Sequence, residues 1–353
     1  MNFLFFERNV HCRVQNGMKM LWIVLFSCMY LPLAAQNTSQ TRPSGLLEAG
    51  SVQVTSRLTA GILSAQVKNW HKQVMLDPTD GNAWLNYYTW TERDRSLNMT
   101  DKSRALAQIT TEAEKFISGQ YAYHLMTYLQ SGKRDSAALL KALSVSTQKN
   151  IVYPYLVQYG VVANNREILE KYCHAMESIN PMPVFLYKYH YNVLMSADSN
   201  AVVYARGMSD LIPLAILQEV YKVRTDIRLS FYDVQENTPE KGSYLCLSLG
   251  KEVLAAYPSA SYTGLLVKIS TEPAFEELKH NLENRMDLSY LQQLNMKDET
   301  TVQLHKNYLP PMILLYRYYV QTGNQKQIQL KTWINNIAAA AGVTGLVEKS
   351  IAL

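Results

Sequence analysis

NAVVYARGMSDLIPLAILQEVYKVRTDIRLSF, residues 200–231, is the stretch that decides the fold. Ala201–Tyr204 is a short β-branched and aromatic run ending at Arg206-Gly207. Leu211, Leu214, Ala215, Leu217 and Val220 then recur at helical spacing, and Ile227, Leu229 and Phe231 alternate with Arg228 and Ser230 as a half-buried strand does. Strand, helix, strand is the unit of parallel sheets, with a right-handed crossover expected. Ligands of such sheets sit beyond the carboxyl ends of the strands. The candidate ligand-binding turn is therefore Arg206, Gly207, Ser209 and Asp210, with Asp226 as a second carboxylate.

Arg206 and the free amides of a helix start would suit an anion. The plainer alternative is local structure: Gly207 allows the tight turn, Asp210 caps a helix starting near Leu211, and Asp226 forms a surface turn or ion pair. Paired-carboxylate catalysis needs two acids in one cleft, and spacing alone does not bring Asp210 and Asp226 together. The chain contains no G-x-S-x-G elbow, no G-x-x-x-x-G-K-[ST] loop, no C-x-x-C and no H-E-x-x-H. No catalytic residue, metal site or cofactor is assigned.

The N-terminus reads as an export signal. Met18-Lys19-Met20 supplies a start and a charge, Leu21–Leu31 is almost wholly apolar, and Leu33-Ala34-Ala35 ends in small residues before Gln36. Residues 1–35 are expected to be a signal peptide, with 1–17 preceding the true start, and 36–55 a polar linker. A lipid-anchor reading at Leu25-Phe26-Ser27-Cys28 is weakened by the bulk of Phe26. No later segment is apolar enough to span a bilayer. Without residues 1–35 the chain keeps 31 basic and 28 acidic residues, too even a balance for a nucleic-acid footprint. The expected location is the periplasm or the outer membrane of a bacterium. Cys173 and Cys246 remain beyond the signal; each lies in an apolar run read as helical, and a disulfide and two buried thiols are both open.

From 56 to 197 the pattern is of helices cut by Gly, Pro and Asn, as in stacked hairpins. In VKNWHKQVMLDPTDGNAWLNYYTW, residues 67–90, Pro78 stops one helix and Asp80 can cap the next. Asp77-Pro78-Thr79-Asp80 followed by Ala83-Trp84-Leu85-Asn86-Tyr87 resembles the join of tetratricopeptide repeats, although no clean 34-residue period continues beyond it. The resemblance implies a degenerate repeat array. Tyrosine is frequent, 24 against 8 phenylalanines, and sits in groups. Such rings either pack between helices or anchor a partner, with Tyr87 and Tyr123 as the candidate partner-binding residues.

The expected organisation continues with an α/β portion over 198–270 and helical hairpins over 271–353. Glu272–Asn281 and Asp287–Leu294 read as short helices, and Val302–Thr322 with Asn324–Ala341 as a closing hairpin. Pro310-Pro311 should kink its first helix or mark that helix's true beginning. The whole is mainly α, a tetratricopeptide-like array with a small α/β portion containing a parallel βαβ unit.

Gly207, Asp210, Pro213-Leu214, Leu217-Gln218-Glu219-Val220 and Arg224-Thr225-Asp226-Ile227-Arg228, with Asn307-Tyr308-Leu309-Pro310 later, carry a second resemblance. They are similar to the soluble exported part of bacterial O-mannosyltransferase-like membrane proteins, over roughly residues 187–341. The membrane-embedded catalytic half of that family has no counterpart here, and Met208-Ser209 replace polar positions of its acidic turn. The resemblance implies a shared α/β fold and compartment, not transferase activity. Two function classes follow: an exported non-enzymatic interaction or scaffold module with an envelope protein or glycan as partner, or a glycan-related enzyme accessory or carbohydrate-binding protein with its site at 207–210.

Overall fold

The computed structural model describes residues 60–94, 96–232, 238–270, 272–292 and 299–352. The expected signal and linker lie outside the described residues. Helix α1 (Ala60–Leu76) and α2 (Gly81–Arg93) form the expected hairpin. The Asp77 carboxylate accepts from Thr79 N–H and Oγ–H at 3.0 and 2.7 Å, closing the turn as Pro78 blocks the helix. Asp80 caps α2, accepting from the amides of Asn82 at 2.8 Å and Ala83 at 3.2 Å. Trp84, 3% exposed, donates its indole N–H to Pro78 O at 2.8 Å, so the ring is held over the join.

Helices α3 (Met99–Ile117) and α4 (Tyr121–Gln130) continue the array. Asn98 caps α3 through the Asp101 amide and donates in return to the Asp101 carboxylate. Gln120 and Tyr121 tie α4 back to the first hairpin through Thr79 O and Asn82. Val74, Trp84, Tyr88, Ile109, Ala113, Ile117, Ala122 and Met126 make one apolar cluster at this end. Helices α5 (Ser136–Val145), α6 (Tyr153–Val162), α7 (Arg166–Ile179) and α8 (Val184–Met195) lead to the sheet. At Gly160 a Cβ would stand 2.7 Å from Leu169 Cγ, so glycine is what lets α6 and α7 approach this closely.

The strand–helix–strand unit is present: β1 (Val202–Ala205), α9 (Met208–Glu219) and β2 (Arg228–Phe231). The two strands pair in parallel, Val202 opposite Arg228 through Ala205 opposite Phe231. Both strands begin one residue later than expected and α9 begins three residues earlier, because Gly207 at φ 90° turns the chain directly into the helix. Strand β3 (Tyr244–Cys246) lies parallel to β1 on its other side, and β5 (Leu266–Lys268) and β4 (Ser261–Tyr262) follow antiparallel, in the order β2-β1-β3-β5-β4. Cys246 is therefore in a strand, not a helix. Cys173 and Cys246 are both buried free thiols, and burial pushes each thiol's pKa up.

One face of the sheet carries Val203, Ala205, Tyr244, Cys246 and Leu266 into the main core; Tyr204 and Leu245 point the other way, under Leu249 and α10 (Lys251–Ala255). The main core is continuous from Leu125 to Val347, so the expected divisions at 197/198 and 270/271 do not separate cores. The C-terminal part consists of α11 (Phe275–His280), α12 (Glu299–His305), α13 (Leu309–Thr322), α14 (Gln327–Ala340) and α15 (Thr344–Ile351). Pro310 and Pro311 lie in the first turn of α13, where a missing amide costs nothing, and mark its beginning. Gly323 at φ 66° ends α13 in the left-handed conformation.

A row of hydrogen bonds crosses this core. Asn192 donates to Tyr308 OH at 2.7 Å, the Tyr308 and Tyr290 hydroxyls are 3.0 Å apart, and Tyr290 OH stands 2.8 Å from His305 Nε2. The His305 Nδ1–H is spent on Thr301 O, so Nε2 accepts from Tyr290 and the ring fits as neutral imidazole. Burial lowers its pKa from the usual 6.5 to about 4.

Trp84→Ala is expected to cost about 3–5 kcal/mol in denaturant melts, since it empties the hairpin join. A loss below about 0.5 kcal/mol, the usual surface effect, would contradict that role. His305 holds its stabilising contribution while neutral in both states, above pH 6.5. As pH falls from there through about 4, up to about 3 kcal/mol is lost, because only the unfolded ring takes the proton easily. Histidine NMR should show one ring still neutral at about pH 5; full titration of every ring near the unperturbed value of ~6.5 would refute this.

Candidate functional site

The sequence points to the carboxyl ends of the parallel strands. There β1 leaves the sheet at Ala205, Arg206 is exposed, and Gly207 opens α9. The neighbouring strand β3 leaves through a short 3-10 turn, Leu247–Leu249, into Gly250, whose φ of 91° matches Gly207. Asp210 does not cap α9. It lies in the first turn of that helix, 4% exposed, and its carboxylate accepts from Ser248 Oγ while the other oxygen stands 3.6 Å from Nε2 of the fully buried His190. The carboxylate is in the middle of the row. The serine faces the acid rather than the imidazole, so this is not a nucleophile beside its base. The set joins α8, α9 and the exit of β3. Ser209 and Gly207 are partly exposed beside it.

Asp226 is elsewhere. It precedes β2, and its carboxylate accepts from the Asn200 amide just before β1. Four-residue strands span about 13 Å, so Asp210 and Asp226 face opposite ends of the sheet and form no paired site. Grouping Asp226 with the 206–210 turn is corrected by this register; its ion-pair reading is the one the structure supports.

What Asp226 does is hold Arg224. The guanidinium donates from Nε and an Nη to both Asp226 oxygens, each at 2.9 Å. Its remaining N–H groups reach Leu194 O at 3.1 Å, Ala197 O at 3.0 Å and Asp198 O at 2.8 Å. These are the orphan carbonyls at the end of α8 and the turn after it. Gln218 completes the knot by donating to Arg224 O and Ile227 O, both at 2.8 Å. Lys222 and Arg224 take positive φ, 56° and 48°, to make the turn. Hydrogen bonding by Arg224 lowers the Asp226 carboxyl pKa to about 2.

Beside this knot lies a cleft of about 240 Å³ between the α6–α7 turn, the end of α9 and the edge strand β2. Its polar lining is Asn164, Arg166, Gln218, Glu219, Thr225, Asp226 and Arg228. A second polar cluster is closed: Lys268 bridges Asp198 and Glu277 at 2.7 Å each, and Tyr244 OH bonds both acids. Among the described residues, no group of three His, Cys, Asp or Glu is placed to hold a metal ion. Of the partner-binding candidates, Tyr87 is partly buried 5.1 Å from His71 and 6.5 Å from Trp84, and Tyr123 lies 5.4 Å from His124. Burial raises the pKa of both phenols, helped by Glu112 at Tyr87 and by Glu114 at Tyr123. Both rings contribute to packing within the first hairpins.

No family model, curated protein or solved structure matches this chain.

Arg224→Ala strips the α8 carbonyls of their donors and is expected to destabilise the protein by about 3 kcal/mol or more. Asp226, whose depressed pKa contributes stability present above the unfolded value and lost as pH falls through about 2, should then titrate near ordinary carboxylates. Carboxyl NMR titration of the variant checks the second effect separately from the melt; an unmoved Asp226 would contradict the assignment.

Proposed function

We propose that this protein is a non-enzymatic interaction module of the bacterial envelope, exported to the periplasm or the outer membrane, and that its N-terminal hairpins dock an envelope protein. The observation that carries this reading is an apolar end of the array. Met75 and Leu76 at the end of α1 are 68% and 70% exposed, and Phe116 at the end of α3 is 51% exposed. Because α2 runs back between them, α1 and α3 both finish at this end. Phe116 lies stacked on Trp84 with centroids 6.4 Å apart, so one anchor is pre-positioned on the buried core. Single exposed apolar residues are ordinary; several large ones gathered at one end of a helical array suit a protein partner.

Export is supported by the Met18–Gln36 pattern. Among the described residues no helix is long and apolar enough to cross a membrane. The 207–210 turn lends less to a glycan site than the sequence suggested, because Asp210 is turned inward onto Ser248.

The test is capture from a native envelope extract, identification of bound proteins by mass, and rebinding of the purified partner. Met75→Ser with Leu76→Ser, the two most exposed of these side chains at 68% and 70%, should weaken rebinding at least tenfold, about 1.4 kcal/mol, with an unchanged melt. Equal binding by the wild type and the variant would overturn the assignment of this surface.

A further inference from the structure

The cleft beside β2 contains a charge that the fold leaves without a hydrogen-bond partner. Glu219 is the last residue of α9 and lines the cleft. Its side chain is only 14% exposed, and Oε2 is shielded from solvent with no donor. The nearest cation, Arg166 Nε, stands 4.0 Å away, beyond hydrogen-bond reach, on a side chain that is itself 76% exposed. Withdrawing a carboxylate from water without giving it donors is costly. Elsewhere in the fold partly buried acids are answered: Asp226 by Arg224, Asp210 by Ser248, Asp287 by Lys188. Among the described residues Glu219 is the acid with a shielded oxygen and no hydrogen bond.

The same cleft holds two guanidinia, Arg166 and Arg228, that no hydrogen bond among the described residues fixes in place. Arg228 lines it from the first position of β2, exposed. Arg224, by contrast, is bound on every side, and Asp226 is occupied by it. The charges that no hydrogen bond fixes are therefore one carboxylate, Glu219, in a loose 4.0 Å ion pair with Arg166, and two guanidinia, Arg166 and Arg228. The apolar walls between them are aliphatic: Val161, Leu169, Ala215, Ile227 and Leu229. The wall is held in shape before any ligand arrives, because both amide donors of Gln218 are fixed on backbone carbonyls.

We propose that this cleft binds a small zwitterion of the α-amino-acid class, a free amino acid or a dipeptide. Its ammonium group donates to Glu219, and its carboxylate is received by the guanidinium of Arg228, with Arg166 beside it. Opposite charges across a small cavity select a ligand bearing both signs and reject a simple anion or cation, each of which would leave one side unanswered. A volume of about 240 Å³ admits such a molecule and no folded partner. The site is independent of the hairpin surface proposed above, which lies at the other end of the helical array.

The experiment is calorimetric titration of the purified protein, at low salt, with each genetically encoded amino acid and with L-alanyl-L-alanine. The best ligand is then compared with its N-acetylated and its amidated forms. At least one zwitterion should bind, and each capped form should bind at least tenfold more weakly. Glu219→Gln should weaken the zwitterion at least tenfold and abolish the penalty for N-acetylation; Arg228→Gln should do the same for amidation. Arg228 is exposed, so that variant reports even if Glu219→Gln does not fold. No binding by any of these molecules at about 20 mM, an affinity too weak to matter by the usual arithmetic, would overturn the proposal. So would capped forms that bind as well as the zwitterion, or a neutral sugar such as N-acetylglucosamine binding the cleft in place of the zwitterions.

Discussion

The Arg224 guanidinium is the constraint on which the rest of this structure depends. It gathers three carbonyls from the end of α8 and the turn beyond it, and it grips the carboxylate that precedes β2. Those two places are the approaches to β1 and to β2. Holding them side by side fixes which residue of one strand faces which residue of the other, and a slip of one would turn each side chain to the wrong face. From that register follow the inward face of Val203 and Ala205, the seat of α9, and the walls of the cleft. A lysine would bring one point charge where the guanidinium brings a planar fork of donors.

Polar groups carry much of the long-range organisation. The Asn192, Tyr308, Tyr290 and His305 row links α8 to the C-terminal helices, Asn307 adds a bond to Tyr189, and the Lys268 cluster fastens β5 and β3 to α11. The abundance of tyrosine has its explanation here. A ring fills the gap between helices as phenylalanine would, and the hydroxyl names its neighbour. Tyr88, Tyr128, Tyr244, Tyr308 and Tyr319 are among the largest fully buried side chains.

The βαβ unit was legible because its periods change cleanly from two to 3.6 and back. The first hairpin was legible because Pro78 and Asp80 act locally. Strand β3 was not: Tyr244-Leu245-Cys246 is buried on both faces, so it shows no alternation, and three residues are too few to outweigh a helical reading. The Arg224-Thr225-Asp226-Ile227-Arg228 motif was visible, but its role was not, since Arg224's partners lie up to 30 residues away. Asp210 was seen without Ser248 and His190, which come from other elements. The cleft had no linear signature; its walls come from residues 161–169, 215–219 and 225–229, which meet only in the folded chain.

The main core and the cluster of the first hairpins touch through few side chains, with Leu85, Tyr121 and Leu129 packed against both. The consequence is thermodynamic partition. The first hairpins can open as a cooperative unit while the sheet and its register survive, since most of what they bury they bury among themselves. Amides of α1 to α3 then exchange with solvent at a cost set by their own small cluster, and those of β1 and β3 at the cost of global unfolding. The portion that carries the exposed apolar end is thus also the portion free to rearrange without dismantling the scaffold behind it.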